Sequence, residues 1–332
     1  MPVLPLLSSC IVKIIKFCCS ENHTAYILVL STAISTRTAL GVGVDFCVRI
    51  PYTERQIKQM DTYYIGWILT MRYYFAPLEG ITGYIFRNTY QEHFGAIDAY
   101  FSPFLGPNRD GGLRSGEIND ILPQNNSRIH LVPQILTNDA AAFGTVADRL
   151  CEYGYEEVNL NLGCPSGTVV AKKKGAGLLA EMERLERFLD EIFSQCSIRI
   201  SIKTRIGKDS PEEFPALLEL FNRYPVSELI VHPRVQTDFY RNQPNWEAFA
   251  CAVNGANMPV CYNGDLFTTE DIYRFAARFP TVETVMLGRG LLSNPGLAAQ
   301  AEGHAPTDKK HLYGFHDALL ERYQEVLSGQ RN

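Results

Sequence analysis

From Tyr73 to Leu297 the chain repeats one pattern, a short apolar run with strand character followed by a stretch of helical spacing or a long polar loop. The apolar runs are YYFAP from Tyr73, DAYFSPF from Asp98, HLVPQI from His130, EVNLNL at Glu157 to Leu162, RISIK from Arg199, ELIVH from Glu228, PVCYN from Pro259 and ETVML from Glu283. The helices predicted between them include Asp139 to Tyr153, Glu181 to Gln195, Pro211 to Arg223, Thr269 to Phe279 and Leu291 to Ala301, several of them opening at a capping residue or a proline. Eight such units in sequence predict an α/β protein of the (β/α)8 TIM-barrel class. An open Rossmann sheet fits less well, because no GxGxxG turn follows the first strand.

A barrel of this class carries its active site at the C-terminal ends of the strands. The polar residues fall there. Strand one ends in Pro77-Leu78-Glu79-Gly80, strand three in Gln134, strand four in Asn161 and Cys164, strand five in Lys203, strand six in His232, strand seven in Asn263-Gly264-Asp265 and strand eight in Gly288-Arg289-Gly290. Each alone has a structural reading: Gln134 as a bridge between loops, His232 as a core histidine, Lys203 as an outward lysine. Their convergence on one mouth argues for a site. At the last two strand ends, the glycines allow close approach of backbone N–H groups and Arg289 adds a planar cation, which predicts a phosphate-bearing ligand.

Cys164 follows an alternating run, with Val158, Leu160 and Leu162 on one face and Asn159 and Asn161 on the other, and Gly163 and Pro165 break that run into a turn. A thiol in that setting is a nucleophile, a metal ligand, a proton donor or a small buried residue. No second cysteine or histidine stands beside it at ligand spacing, which disfavours a metal. Cys151, Cys196, Cys251 and Cys261 lack such context and read as structural.

Composition narrows the picture. The 332 residues, 46% hydrophobic and 20% charged, are those of a soluble globular protein. Nine cysteines without paired spacing, apart from the adjacent Cys18 and Cys19, suggest reduced thiols in the cytoplasm and no structural zinc. The net charge of −5 excludes a uniformly basic nucleic-acid surface and leaves room for a local basic groove. Residues 1–70 read differently: their apolar stretches are interrupted by Lys13, Lys16, Glu21 and His23, so no membrane span is expected, and Met1 to Ser9 lacks the charged start of a secretory signal. Met71 stands two residues before the first strand. The expected organisation is a poorly ordered extension or misassigned start over 1–70, a barrel catalytic domain over 71–303, and the start of a helical region, cut short, over 304–332. In that last region Lys309 to Leu327 reads as one amphipathic helix with Leu312, Phe315, Leu319, Leu320, Tyr323 and Leu327 on one face. Such a stripe needs a partner, either the barrel or a further domain.

The segments APLEGIT (Ala76 to Thr82), Phe86-Arg87, Gln134, NLNLGCPSGTVVAKKKGAGLL (Asn159 to Leu179), IKTRIG (Ile202 to Gly207), VHPR (Val231 to Arg234), YNGD (Tyr262 to Asp265) and GRG (Gly288 to Gly290) resemble, in order, the bacterial-type tRNA-dihydrouridine synthases. The N-x-N-x-G-C-P segment with its lysines is the most specific part. The resemblance implies an FMN enzyme that reduces the C5=C6 bond of uridines in tRNA with NADPH as electron donor, an oxidoreductase acting on CH–CH bonds. It gives the FMN border to Pro77, Leu78 and Glu79, the ring edge to Gln134 and Lys203, and the phosphate or ribityl side to His232. Asn263, Gly264, Asp265, Gly288 and Arg289 would hold ribityl and phosphate, and Asn161 would lie between flavin and substrate. Cys164 becomes the proton donor to C5. Lys172, Lys173 and Lys174, with Arg205 and Arg234, become contacts to the tRNA. A monomer is expected. The competing readings are an FMN barrel acting on a small pyrimidine or enone, and an inactive flavin- or RNA-binding protein.

Overall fold

The computed structural model of the protein describes residues 71–329; the expectation for 1–70 lies outside the described residues. The strands are β1 (Arg72–Phe75), β2 (Ala99–Phe101), β3 (Leu131–Val132), β4 (Gln134–Ile135), β5 (Glu157–Leu162), β6 (Arg199–Arg205), β7 (Leu229–His232), β8 (Val260–Tyr262) and β9 (Thr284–Leu287). Neighbours run β3-β2-β1-β9-β8-β7-β6-β5-β4, and every pair is parallel. The nine segments are eight strands. Pro133, which has no N–H to give a ladder, divides one strand into β3, bonded to β2, and β4, bonded to β5. The two ends of the sheet are therefore consecutive in the chain, and the ring closes as a (β/α)8 barrel.

Side-chain alternation along each strand then positions the site. Tyr74, Ala76, Ala99, Phe101, Val132, Ile230, Cys261 and Met286 form one buried cluster that fills the barrel. Two residues further along β3/β4, β7, β8 and β9 come Gln134, His232, Asn263 and Gly288. On β5 and β6 the same parity gives Asn159 then Asn161, and Ser201 then Lys203. The interior is thus apolar at its base and polar at the mouth.

Around the barrel lie α1 (Tyr84–His93), α2 (Ser115–Ile121), α3 (Ala140–Glu152), α4 (Gly167–Val170), α5 (Met182–Gln195), α6 (Phe214–Phe221), α7 (Trp246–Gly255), α8 (Thr269–Arg278), α9 (Arg289–Ser293), α10 (Leu297–Ala301) and α11 (Lys309–Gly329). Asp139 caps α3 by accepting from the Ala142 N–H, and Thr268 caps α8 through the Asp271 N–H. The helix expected over Leu291 to Ala301 is instead α9 and α10, separated at Asn294-Pro295-Gly296, where proline cannot continue a helical ladder. The stripe on α11 is divided. Phe315 packs edge-on to Phe86, Tyr90 and Phe94, and Arg322 donates to Thr89 Oγ1 and Glu92 Oε2 on α1. Leu312 and Leu320, expected on that same face, are 36% and 50% exposed.

Candidate active site

The mouth contains a cleft bordered by Ala76, Pro77 and Leu78 from β1, Lys203 from β6, His232 and Tyr240 from β7 and its loop, Asn263 to Phe267 after β8, and Gly288 to Gly290 after β9. Most of the predicted cofactor residues thus share one cleft. Glu79 does not line it; it borders a neighbouring cleft with Phe104 and Arg114, where burial raises its carboxyl above the usual range. Gln134 and Asn161 are also absent from its lining, and both are buried.

One end of the cleft is built for an anion. The backbone N–H groups of Gly288, Arg289 and Gly290 open α9 and donate to no acceptor among the described residues. A side chain at Gly290 would bring its Cβ to 2.1 Å from the Leu266 carbonyl oxygen, so only glycine lets these two loops meet. Arg289 is partly exposed, stacks over Tyr240 at 4.8 Å and pairs with Asp265. Asp265 is also held by Arg234 through bonds of 3.1 and 2.5 Å, and its carboxylate acts to fix the two guanidinium groups. Lys203 has no hydrogen-bond or carboxylate partner among the described residues; burial lowers its pKa to about 8, with a smaller push from Arg205. His232 Nε2 accepts from Arg234 Nη1 at 3.1 Å, since a guanidinium only donates. Burial first, and then four surrounding cations, hold this imidazole neutral, which leaves Nδ1–H as a donor.

Across the mouth, Cys164 sits on a loop fastened from three sides. Asn161 Oδ1 accepts the N–H groups of Gly163 at 3.0 Å and Cys164 at 2.9 Å. With its oxygen so engaged, Asn161 must present Nδ2 to Gln134 Oε1 at 2.7 Å. Gln134 then gives Nε2 to Asn159 Oδ1 at 2.7 Å, and Asn159 gives Nδ2 to Ser201 Oγ at 3.0 Å. From above, Arg205 Nε donates to the Gly163 carbonyl at 3.0 Å. From below, the Ala176 N–H donates to the Cys164 carbonyl at 3.2 Å. The neighbouring Gly175 has φ +53°, and a Cβ there would lie 3.0 Å from that of Cys164, so the glycine-rich segment is the floor of the loop. Burial pushes the Cys164 thiol up, with Glu79 acting in the same direction and Ser166 N–H, Arg205 and Lys203 against it. At neutral pH the thiol keeps its proton.

The residues expected to touch RNA divide into two kinds. Lys172 and Lys173 are exposed; Lys173 pairs with Glu181 at 2.7 Å, and Lys174 lines a separate groove with Arg109 and Arg184. Arg205 and Arg234 correct the expectation: both are at most 1% exposed, with guanidinium groups spent on internal acceptors. Arg205 binds the carbonyls of Gly163, Val235 and Phe239, and Arg234 binds Asn242 O, His232 and Asp265. Three participants lack a cue at the strand ends: Asn159 and Ser201, one step deeper in the barrel, and Tyr240, which closes the cleft from a loop. Among the described residues no group of three or more histidine, cysteine or acidic side chains is arranged to hold a metal, and no helix is long and apolar enough to cross a membrane.

A closed parallel barrel whose C-terminal mouth holds a cleft lined with free N–H donors and, across from it, a protonated thiol has the layout of a β/α-barrel enzyme. The profile described as "Dihydrouridine synthase (Dus)" matches residues 74–330, and the chain belongs to that family, and so to the oxidoreductases. It is 28% identical over 252 residues to a tRNA-dihydrouridine(16) synthase of Pseudomonas putida, covering 74% of this chain and 77% of the relative. To the protein of the same name from Aquipseudomonas alcaligenes it is 30% identical over 233 residues, covering 68% and 73%. Among solved structures, morphinone reductase in complex with tetrahydroNAD superposes with TM-score 0.51 at 12% identity, covering 72% of this chain and 89% of that one. A variant of NCR from Zymomonas mobilis does so with TM-score 0.51 at 15% identity, covering 74% and 90%. These two likenesses concern the fold.

Proposed function

We propose that this chain is an FMN-dependent tRNA-dihydrouridine synthase that uses NADPH to reduce the C5=C6 bond of uridine in tRNA. The observation that carries the reading is the pairing, at one mouth, of a half-buried protonated thiol with a lysine that has no anionic partner among the described residues. When bound, FMN supplies a hydride for C6, and NADPH restores it.

The residues present fit that cofactor. The free N–H groups of Gly288 to Gly290 and the Arg289 guanidinium suit its phosphate. Neutral His232 offers Nδ1–H to a phosphate or ribityl oxygen, and Asn263, Gly264 and Asp265 flank the same stretch of the cleft. Pro77 and Leu78 give an apolar wall for a ring. Lys203, free of a counter-ion, neutralises negative charge at the ring edge. Gln134 acts chiefly by orienting Asn161, because its amide is engaged at both ends.

Hydride addition at C6 leaves an electron pair at C5, which takes a proton from the opposite face of the uracil. Cys164 Sγ–H gives that proton, and the thiolate left behind recovers one from water. A thiol whose pKa lies above the neutral range is protonated in nearly every molecule and needs no further activation as an acid. Lys172 and Lys174 meet the RNA backbone around the target uridine. We take the protein to work as a monomer in the cytoplasm, where thiols such as the five described cysteines stay reduced.

The test has two stages. Purified protein is loaded with FMN and its visible spectrum followed on NADPH addition; the reduced protein is then mixed with unmodified tRNA, a free pyrimidine or an enone. Reoxidation by tRNA with a two-dalton gain on uridine is expected. Failure to take up FMN, or reoxidation by the small molecules alone, rejects the reading.

A further inference from the structure

We propose that Phe239 takes the place of the extruded uridine in the RNA stack, with the turn Phe239-Tyr240-Arg241 forming a nucleobase platform at the lip of the active site; this rests on the tRNA reading above. A uridine can reach the floor of a barrel mouth only by leaving its stack, which opens a gap between its neighbours. An aromatic side chain can fill such a gap by giving the neighbouring bases a flat face on which to stack. Three observations assign this part to Phe239.

Its backbone has φ 52° and ψ −96°, a conformation that glycine adopts readily and a bulky residue rarely does. The turn is enforced by the Arg205 guanidinium on the Phe239 carbonyl at 2.9 Å and by the Arg241 N–H on the Asp238 carbonyl at 3.0 Å. Packing rewards the strain only in part, since the ring is 38% exposed and, among the described residues, stacks on no other aromatic ring.

Its place is next to the proton donor. The guanidinium that holds the Phe239 carbonyl also holds that of Gly163, the residue before Cys164, and Gln236 Nε2 donates to the Pro165 carbonyl at 3.1 Å. The turn and the Cys164 loop are thus joined as two sides of one lip.

Its surroundings suit a nucleobase. Arg241 lies over the Phe239 ring at 5.9 Å and has no ion pair among the described residues, and the half-exposed Tyr240 stacks with Arg289 at 4.8 Å. Aromatic faces interleaved with arginines are how single-stranded nucleic acid is held.

The experiment compares Phe239→Gly, Phe239→Leu and Phe239→Trp in FMN-loaded protein. It measures melting temperature, the rate of reduction by NADPH, and single-turnover reoxidation of pre-reduced enzyme by unmodified tRNA. Glycine is expected to melt at or above the wild-type temperature and to be reduced within twofold of the wild-type rate. Its reoxidation by tRNA should fall roughly 10- to 100-fold, the worth of one base–aromatic stack. Tryptophan should stay within threefold of wild type, and leucine, apolar but not flat, should behave like glycine. Wild-type tRNA turnover by glycine, a leucine variant as fast as phenylalanine, or a collapse of NADPH reduction would each overturn the inference. A wild-type enzyme that does not react with tRNA would instead overturn the proposed function, and this inference with it.

Discussion

Replacing Asn161 by alanine removes three hydrogen bonds at once: those from the Gly163 and Cys164 N–H groups to Oδ1 and that from Nδ2 to Gln134. Each is worth about 1 kcal/mol net, and a fully buried Gln134 Oε1 left without a donor costs about 1–3 kcal/mol more. The sum is roughly 4–6 kcal/mol before relaxation. For a domain of this size it corresponds to a fall in Tm of roughly 8–24 °C. Asn161→Asp should be much milder. Aspartate still accepts both backbone N–H groups, and the amides of Gln134 and Asn159 can turn over in concert, because Ser201 at the far end donates as readily as it accepts. Thermal melts of the FMN-loaded proteins test stability, and the rate of Cys164 alkylation reports whether the loop has loosened. Alanine is expected to melt low and alkylate faster, with aspartate near wild type in melting. An alanine variant melting within 2 °C of wild type would show that the amide series carries no strain from the loop, and the whole account of how Cys164 is held would fail.

Cys164→Ala should keep FMN and be reduced by NADPH at the wild-type rate, while dihydrouridine formation, read by mass spectrometry after a single turnover, falls roughly 10²- to 10⁴-fold; full tRNA turnover would place the acid elsewhere. Glu228 lies buried beneath β7, and burial raises its pKa to about 7, with Glu157 adding to the rise and Arg72 and Tyr74 opposing it. Its ionised form therefore destabilises the fold above about pH 7, and that penalty disappears as pH falls toward the ordinary carboxylate range. Glu228→Gln should raise stability at pH 8 by up to roughly 3 kcal/mol and change it little at pH 5, as measured by urea denaturation at the two pH values; an equal effect at both would rule out the titration. Gly290→Ala forces a Cβ against the Leu266 carbonyl, and the loops on either side of the anion end must part. A loss of about 1–3 kcal/mol in stability and a clear drop in FMN retention by gel filtration are expected, and unchanged retention would separate that end of the cleft from the cofactor.

Much of this molecule is legible from residue order, because the barrel obeys a period of two. His232 and Asn263 are visible as site residues since each ends an apolar strand and points inward by the same parity as Ile230 and Cys261. The limits are equally specific. Arg205 and Arg234 stand beside motif residues and read as surface cations; only the fold shows carbonyls from distant loops closing around them. Helix α1 is hard to see because Arg87 and Thr89 occupy its buried face, the arginine satisfied by Thr82, Asp120 and Asn126. Phe239 gives no cue at all, since its significance lies in a φ angle. On α11, helical spacing puts Leu312 and Leu320 with Phe315, but the width of α1 accepts only part of that arc.

Pro133 has a consequence for how the barrel breathes. This strand changes its ladder partner in mid-course, with β3 on β2 and β4 on β5, and beyond Pro133 its other edge is held by Ser102 and Leu105 on the loop that follows β2. Amide protons beside this seam are expected to exchange through small local openings rather than through unfolding of the ring, which hydrogen exchange would show. The inward residue at that seam is Gln134, the middle member of the amide series that ends at the Cys164 loop. An opening there would loosen the Cys164 loop without touching the Gly288–Gly290 end of the cleft, which lies on the opposite wall between β8 and β9. Slower exchange between β8 and β9 than around Pro133 would be the signature of a site whose two walls loosen independently.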